Sequence, residues 1–224
     1  MRLREEREKP AGSVWVIGCG RFGKRAMQML TKTRLPSLEI MVVDQRAVDD
    51  LPNGVTFVKA DGVEWLVDNL HRNSGVEWII PALPVHLAAL WVKEKIMRDG
   101  KTLDALPIPP WILEKLPNPY QLSKNSYALS YADFLCPPDC SEPDECCTVT
   151  GRVRPTPLYD LVGSLRTLDH KMFSLQSQQI GPGFGGLKPD SLWRLLDGGQ
   201  SLESGSFLIS TSCKCHGLIT GYRL

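Results

Sequence analysis

The sequence predicts an α/β chain built on a mainly parallel sheet, followed by a smaller mixed region that carries most of the cysteines. Three observations predict it. An apolar run enters a glycine-rich turn and then a helical pattern, strand and helix alternate up to about residue 107, and proline-interrupted, cysteine-bearing segments follow. With 224 residues, 42% of them hydrophobic and 23% charged, the chain is long enough for a large apolar core and is not composed as a disordered segment.

Met1 to Pro10 mixes charges of both signs and precedes only a short apolar run, so it reads as neither a secretory signal nor a membrane anchor. A polar arm over 1–12 and a cytoplasmic protein are expected. Ser13 to Ile17 is a short buried strand. It enters Gly18-Cys19-Gly20-Arg21-Phe22-Gly23, after which Phe22, Ala26, Met29 and Leu30 recur at helical spacing. Leu38 to Val43 is a second strand ending at Asp44, and Val55 to Val58 is a third. Asp61 starts or caps a helix carrying Trp65, Leu66 and Leu70. Val76 to Ile80 is a fourth strand, Leu87, Leu90, Trp91 and Ile96 mark another helix, and Leu103 to Leu106 reads as a fifth, shorter strand. The link between the second and third strands is too short for a long helix, so one crossover is abbreviated.

After residue 107 the prolines 107, 109, 110, 117 and 119 interrupt helix continuation. Tyr127 to Leu135 has strand character, and Pro137 to Asp144 is a polar loop bracketed by cysteines that is ordered only if something holds it. Residues 158 to 168 read as a short helix, Met172 to Gln178 as a strand, Ser191 to Leu196 as a short helix and Phe207 to Thr211 as a strand. The expected organisation is an arm over 1–12, a dinucleotide-binding unit over 13–115 and a mixed α+β cysteine-containing domain over 116–224, with a soft boundary near 107 to 125.

In the glycine turn, Gly18 permits the tight bend, Gly20 the close approach of a pyrophosphate and Gly23 close helix packing. The helix amino end offers unpaired N–H groups to the anion. Cys19, Arg21 and Phe22 complete the turn, and Cys19 reads first as a small buried thiol. Asp44 stands where an adenine ribose would be met, which favours NAD over NADP. Arg46 just beyond it weakens that preference. The unit is therefore expected to be Rossmann-like and to hold NAD. A degenerate domain that retains the shape without the cofactor is the competing reading.

The stretch Val16 to Gly23, with Asp44 after the second strand and Ala60-Asp61-Gly62 after the third, resembles the TrkA-N or RCK domains of potassium-transport regulators. The resemblance covers about the first 100 residues and implies a Rossmann fold with an adenine-nucleotide site at Gly18, Gly20, Gly23 and Asp44. This chain has Ala60-Asp61 where the family commonly has Gly-Asp, and its cysteine-bearing half differs from that family's usual partner domain.

Of the seven cysteines, Cys136, Cys140, Cys146 and Cys147 share one loop-rich segment, and Cys213-Lys214-Cys215-His216 lies remote from them. Thiolates and imidazole suit Zn²⁺, and several thiolates also suit an iron–sulfur cluster. The spacing matches neither a zinc knuckle nor a ferredoxin run, so buried structural thiols and a local redox disulfide stay open. The economical set is Cys136, Cys140 and one of Cys146 or Cys147, completed by Cys213 or Cys215. Asp139, Glu142, Asp144 and Glu145 read as groups that keep the loop hydrated.

His86, just past the fourth strand, and His170 are the candidate acid–base residues, each against a capping, packing or surface role. No nucleophile elbow or Walker loop occurs. The net charge of +1 gives no sign of a nucleic-acid binder. The chain is expected to be a cytoplasmic NAD-binding oxidoreductase, or a protein resembling one, with a thiolate-ligated metal or iron–sulfur centre. A small-molecule substrate or redox partner and a homo-oligomer are compatible with it, and direct membrane insertion is not. The alternative is a nonenzymatic nucleotide-binding regulatory module with a structural zinc site.

Overall fold

The computed structural model describes residues 12–33, 38–48, 50–154 and 156–224, so the expected arm lies outside the described residues up to residue 11. The first half runs β1 (Gly12–Ile17), α1 (Arg21–Lys32), β2 (Leu38–Asp44), β3 (Val55–Lys59), α2 (Gly62–Asn69), β4 (Val76–Pro81) and α3 (Leu87–Arg98). The four strands form one parallel sheet in the order β3-β2-β1-β4. β1 is apolar from Val14 to Ile17 because both of its faces are covered there. Val14 and Val16 pack in a cluster with Ala26, Met27 and Leu30 of α1, while Trp15 and Ile17 join Leu66, Trp91 and Val92 from α2 and α3. As expected, the described part of the link between β2 and β3 holds no helix.

Asp61 caps α2 by accepting hydrogen bonds from the N–H groups of Val63 (2.9 Å) and Glu64 (3.0 Å). Gln45 donates to its other oxygen at 2.6 Å, tying the end of β2 to the start of this helix.

The second half continues with β5 (Asp104–Ala105), α4 (Pro110–Leu113), β6 (Tyr120–Ser123), β7 (Ser126–Ser130), α5 (Leu158–Ser164), β8 (His170–Gln176), β9 (Gln178–Gly181), β10 (Phe184–Gly186), α6 (Pro189–Gln200), β11 (Ser206–Ser212) and β12 (His216–Arg223). A mixed sheet forms in the order β6-β7-β12-β11-β8, parallel between β8 and β11 and antiparallel elsewhere. One face, through Phe207 and Ile209, joins the cluster around Trp15, Trp91 and Leu195. The other, through Leu208 and Ile219, packs with Ile112, Leu158 and Val162. The layer of α3 and α6 is therefore shared by both sheets, with Trp91 and Trp193 edge to face at 5.1 Å.

Two expectations of local structure are corrected, and one strand was not read from the sequence. Leu103 to Leu106 adds no strand to the parallel sheet, since only Asp104–Ala105 is extended and it pairs antiparallel with β12. The Tyr127 to Leu135 strand stops at Ser130 and has a hairpin partner, β6, that the prolines around it concealed. β12 is the strand to which β7, β11 and β5 all pair, yet Gly217 and Gly221 weaken its strand signature. Gly221 is needed there, because a Cβ would stand 2.5 Å from the carbonyl oxygen of Leu106. Among the described residues no helix is long and apolar enough to cross a membrane.

Candidate functional site

The glycine turn is set by two contacts that exclude a side chain and one position that leaves room. Gly18 has φ +104°, and a Cβ at Gly23 would lie 2.0 Å from the Gly18 carbonyl oxygen. Above Gly20 nothing lies within 4 Å of the place a Cβ would take. Gly20 is the N-cap of α1 and supplies no capping side chain. α1 therefore starts with no capping side chain over its first N–H groups, and those groups are what a phosphate would use. Asp44 anchors the turn, its carboxylate accepting from the Cys19 N–H at 2.5 Å and the Arg46 N–H at 2.8 Å. Each oxygen keeps a further lone pair.

Beside α1 lies a cavity of about 810 Å³. Arg21 and Phe22 form one wall, and Cys136, Cys140, Cys147, Cys213, Cys215 and His216 lie around it. The structure thus brings five of the seven cysteines and His216 together from two segments distant in sequence. Cys19 is buried within the glycine turn, and Cys146, bridged to Val153, does not itself line the cavity. The rim carries apolar side chains in water: Leu135 is 97% exposed, Val153 77% and Phe22 53%.

The loop from Tyr131 to Pro157 has no helix or strand among its described residues, and polar contacts hold it in place. The Cys140 carbonyl accepts from the Gly183 N–H (3.0 Å) and from Gln179 (2.7 Å) in the β9–β10 hairpin. Arg154 spreads its guanidinium over the carbonyls of Pro143, Asp144 and Cys146 and donates from Nε to the Cys215 sulfur at 2.7 Å. Glu142 accepts from the Lys214 N–H at 2.5 Å, and Lys214 pairs with Asp144. Two of the acidic residues expected to hydrate this loop instead fasten it to the turn between β11 and β12.

The thiols differ in environment. The N–H of Thr150, its hydroxyl and the N–H of Val149 draw Cys147 below the usual thiol range. Burial raises Cys136, helped by the neighbouring Cys140 and Cys147. Burial, then the charge of Glu142, pushes Cys213 up to about 12. Burial also raises Cys215, opposed by the Arg154 hydrogen bond. Burial lowers His216, opposed by the Glu142 charge, and its Nε2 lies 3.4 Å from the Cys136 sulfur.

The soft donors suit Zn²⁺ or an iron–sulfur cluster in kind. Among the described residues, no three Cys, His, Asp or Glu side chains are gathered as they would be around one ion. The glycine turn suits a dinucleotide through the open space at Gly20.

The two candidate acid–base histidines stand away from the cavity. His86 is 6% exposed, with Nδ1 2.8 Å from the Thr220 hydroxyl and Nε2 3.0 Å from that of Thr211. Burial pushes it down to about 3, and it joins α3 to the mixed sheet as a neutral core group. His170 begins β8, at the opposite end of that strand from Ser177 on the cavity wall and roughly 20 Å along it. Arg46 is exposed at the end of β2 and does not reach the cavity. Arg154 and Glu142 organise the site without a motif to announce them. An arginine next to Pro155 and two residues after Arg152 reads from sequence as an ordinary loop cation.

A family model described as "Uncharacterized protein, C-terminal domain" matches residues 88–224. The chain belongs to that family. The matched part runs from α3 to the last strand and includes every cysteine on the cavity, but not the glycine turn. An uncharacterized protein of Archaeoglobus fulgidus (strain ATCC 49558 / DSM 4304 / JCM 9628 / NBRC 100126 / VC-16) is 29% identical over 225 residues, covering 93% of this chain and 98% of the relative. No solved structure matches. The expected kinship with TrkA-N or RCK domains is thereby overturned. The family found is a different one, and the relative that spans the chain is described only as an uncharacterized protein. A glycine turn followed by an acid specifies a local backbone shape, and that shape alone carries no descent.

Proposed function

We propose that this protein is an NAD-binding oxidoreductase in which the glycine turn holds the dinucleotide and the adjoining thiol-lined cavity is the reaction chamber. One observation carries the proposal: a single cavity is walled by the first turn of α1, through Arg21 and Phe22, and by the cysteines and His216 from the far half of the chain. The strand order β3-β2-β1-β4 supports it, being that of the first half of a Rossmann sheet, with the turn at the carboxyl end of β1.

In this reading the N–H groups of α1 and the open space at Gly20 receive the pyrophosphate, and Asp44 directs its remaining lone pairs to the adenine ribose. Arg21 adds positive charge at the cavity wall, while Phe22 covers an apolar ring and keeps water from it. The thiols and His216 face whatever enters from the other side. When bound, the dinucleotide supplies hydride transfer, and a thiolate-held metal or cluster would supply an electron relay or a Lewis acid.

Calorimetric titration of the full chain with NADH and with NADPH tests the reading. Saturable one-to-one binding of NADH, tighter than that of NADPH, is expected. Absence of saturable binding by either nucleotide refutes it.

A further inference from the structure

We infer that Cys136 and His216 form a nucleophile–base pair on the cavity wall, and that the substrate class is an aldehyde with an apolar tail, oxidised through a thioester on Cys136. This rests on the dinucleotide reading of the same cavity and adds the substrate class and the residues that do the chemistry.

The pair is set by contact. The Cys136 sulfur lies 3.4 Å from His216 Nε2, and both residues line the cavity that the first turn of α1 walls. His216 opens β12, where pairing with Ser130 of β7 and a bond from the Cys213 N–H to its carbonyl (2.8 Å) fix its backbone. The other cavity thiols have different neighbours. Cys140 meets the Thr148 hydroxyl at 3.6 Å, and Cys215 accepts from Arg154 Nε at 2.7 Å. Cys213 accepts from the His216 N–H at 3.4 Å and shares a hydrogen bond with the Glu142 carboxylate, a weaker base than imidazole. Cys147 is bonded to the N–H groups of Val149 and Thr150 and to the Thr150 hydroxyl, which favour its thiolate but cannot carry a proton to or from a substrate. Among the described residues, Cys136 is thus the cavity cysteine whose sulfur meets a ring nitrogen, the arrangement that activates a thiol for covalent catalysis.

A base beside the sulfur matters because aldehyde oxidation moves a proton at every stage. The sulfur attacks the carbonyl carbon, a C–S bond replaces the C=O π bond, and the thiol proton passes through His216 Nε2 to the new hydroxyl. The hydrogen on that carbon leaves as hydride to NAD⁺, and His216 takes the hydroxyl proton as the thioester C=O forms, then releases it to solvent. Water, deprotonated by the same nitrogen, adds to the thioester carbon, the C–S bond breaks, and the proton returns to the sulfur. In sum, aldehyde, NAD⁺ and water give carboxylic acid, NADH and one proton.

The walls set the tail. Phe134, Leu135, Val149 and Val153 line the same cavity, and Leu135, next to Cys136, is almost wholly exposed. An aliphatic chain laid over them removes apolar surface from water on both sides of the contact.

The full chain given octanal and NAD⁺ should form NADH, and chain quenched in acid during turnover should carry an octanoyl group that peptide mass mapping places on Cys136. Cys136→Ser should abolish both, while Cys146→Ser, off the cavity wall, keeps them. His216→Asn should slow acylation about a hundredfold, the scale of a lost general base. Nitrophenyl octanoate acylates the same sulfur with no dinucleotide present, and so reads the pair alone. An octanoyl group on Cys147 or any other cysteine, an unchanged rate in His216→Asn, or a wild-type chain that binds NADH and is acylated by neither reagent overturns the inference and leaves the dinucleotide site standing. Ester acylation of Cys136 in a chain that binds no dinucleotide upholds the pair and overturns aldehyde oxidation together with that site. The wild-type peptide map decides the nucleophile even if a variant fails to fold.

Discussion

Replacing the glycines of the turn one at a time separates its role in folding from its role in binding. Gly20→Ala adds a methyl where nothing lies within 4 Å, and the extended backbone at this position, φ −70° and ψ −164°, accepts alanine. Its stability cost is that of a poorer N-cap, about 1 kcal/mol. The same methyl occupies the space through which a pyrophosphate approaches the α1 N–H groups, so NADH affinity should fall at least about tenfold, a loss of roughly 1.4 kcal/mol. Gly23→Ala is opposite in kind. Its Cβ would sit 2.0 Å from the Gly18 carbonyl oxygen, and relief requires moving the strand end that the Gly18 N–H fixes to Val43 at 2.7 Å. A loss of at least about 4 kcal/mol is expected, within the range reserved for severe steric and backbone effects. Urea unfolding followed by tryptophan fluorescence gives the stabilities, and calorimetric titration gives the affinities. Wild-type NADH binding by Gly20→Ala, or wild-type stability of Gly23→Ala, would refute the reasoning.

His86 makes stability depend on pH. The unfolded chain takes up a proton below the ordinary value of 6.5 and the folded chain only near 3, so stability is lost as pH falls between them, by about 1.4 kcal/mol per pH unit. Urea unfolding of wild type and His86→Asn at pH 6 and pH 4 should show a shallower fall for the variant, and equal falls would sink the assignment. Asp61→Ala removes both cap bonds of α2 and should cost about 1 kcal/mol in the same assay, whereas a change under about 0.3 kcal/mol would mean the cap is idle. Trp91→Ala opens a void in the layer shared by both sheets and should cost about 3–5 kcal/mol, with both halves losing structure together. Separate unfolding of the two halves by hydrogen exchange would contradict a shared core.

The first half was legible because each element carried its own local signal. The apolar run at β1, the φ-demanding Gly18, the Asp61 cap and the apolar spacing of α3 act within a few residues of one another. Asp44 was found by its place at a strand end, although its acceptance of the Cys19 N–H depends on the fold. The second half was harder for physical reasons. β12 is held by three neighbours and two glycines pressed against adjacent backbone, a pattern visible only once those neighbours are in place. The cysteines announced themselves by type, but their gathering depends on Arg154, Glu142 and Gln179, whose partners lie up to 72 residues away. From its place after a strand end in a parallel sheet, His86 read as either an acid–base candidate or a capping, packing or surface group. The hydroxyls of Thr211 and Thr220, from strands more than a hundred residues later, instead make it a core group.

The central claim is that the glycine turn and the thiol cavity form one chamber, and a crystal of the protein grown with NADH tests it most directly. The account predicts the pyrophosphate over Gly20 and the nicotinamide past Phe22, facing Cys136, Cys147 and Cys215. NADH bound elsewhere, or seated in the turn with its nicotinamide directed away from the cysteines, would contradict it.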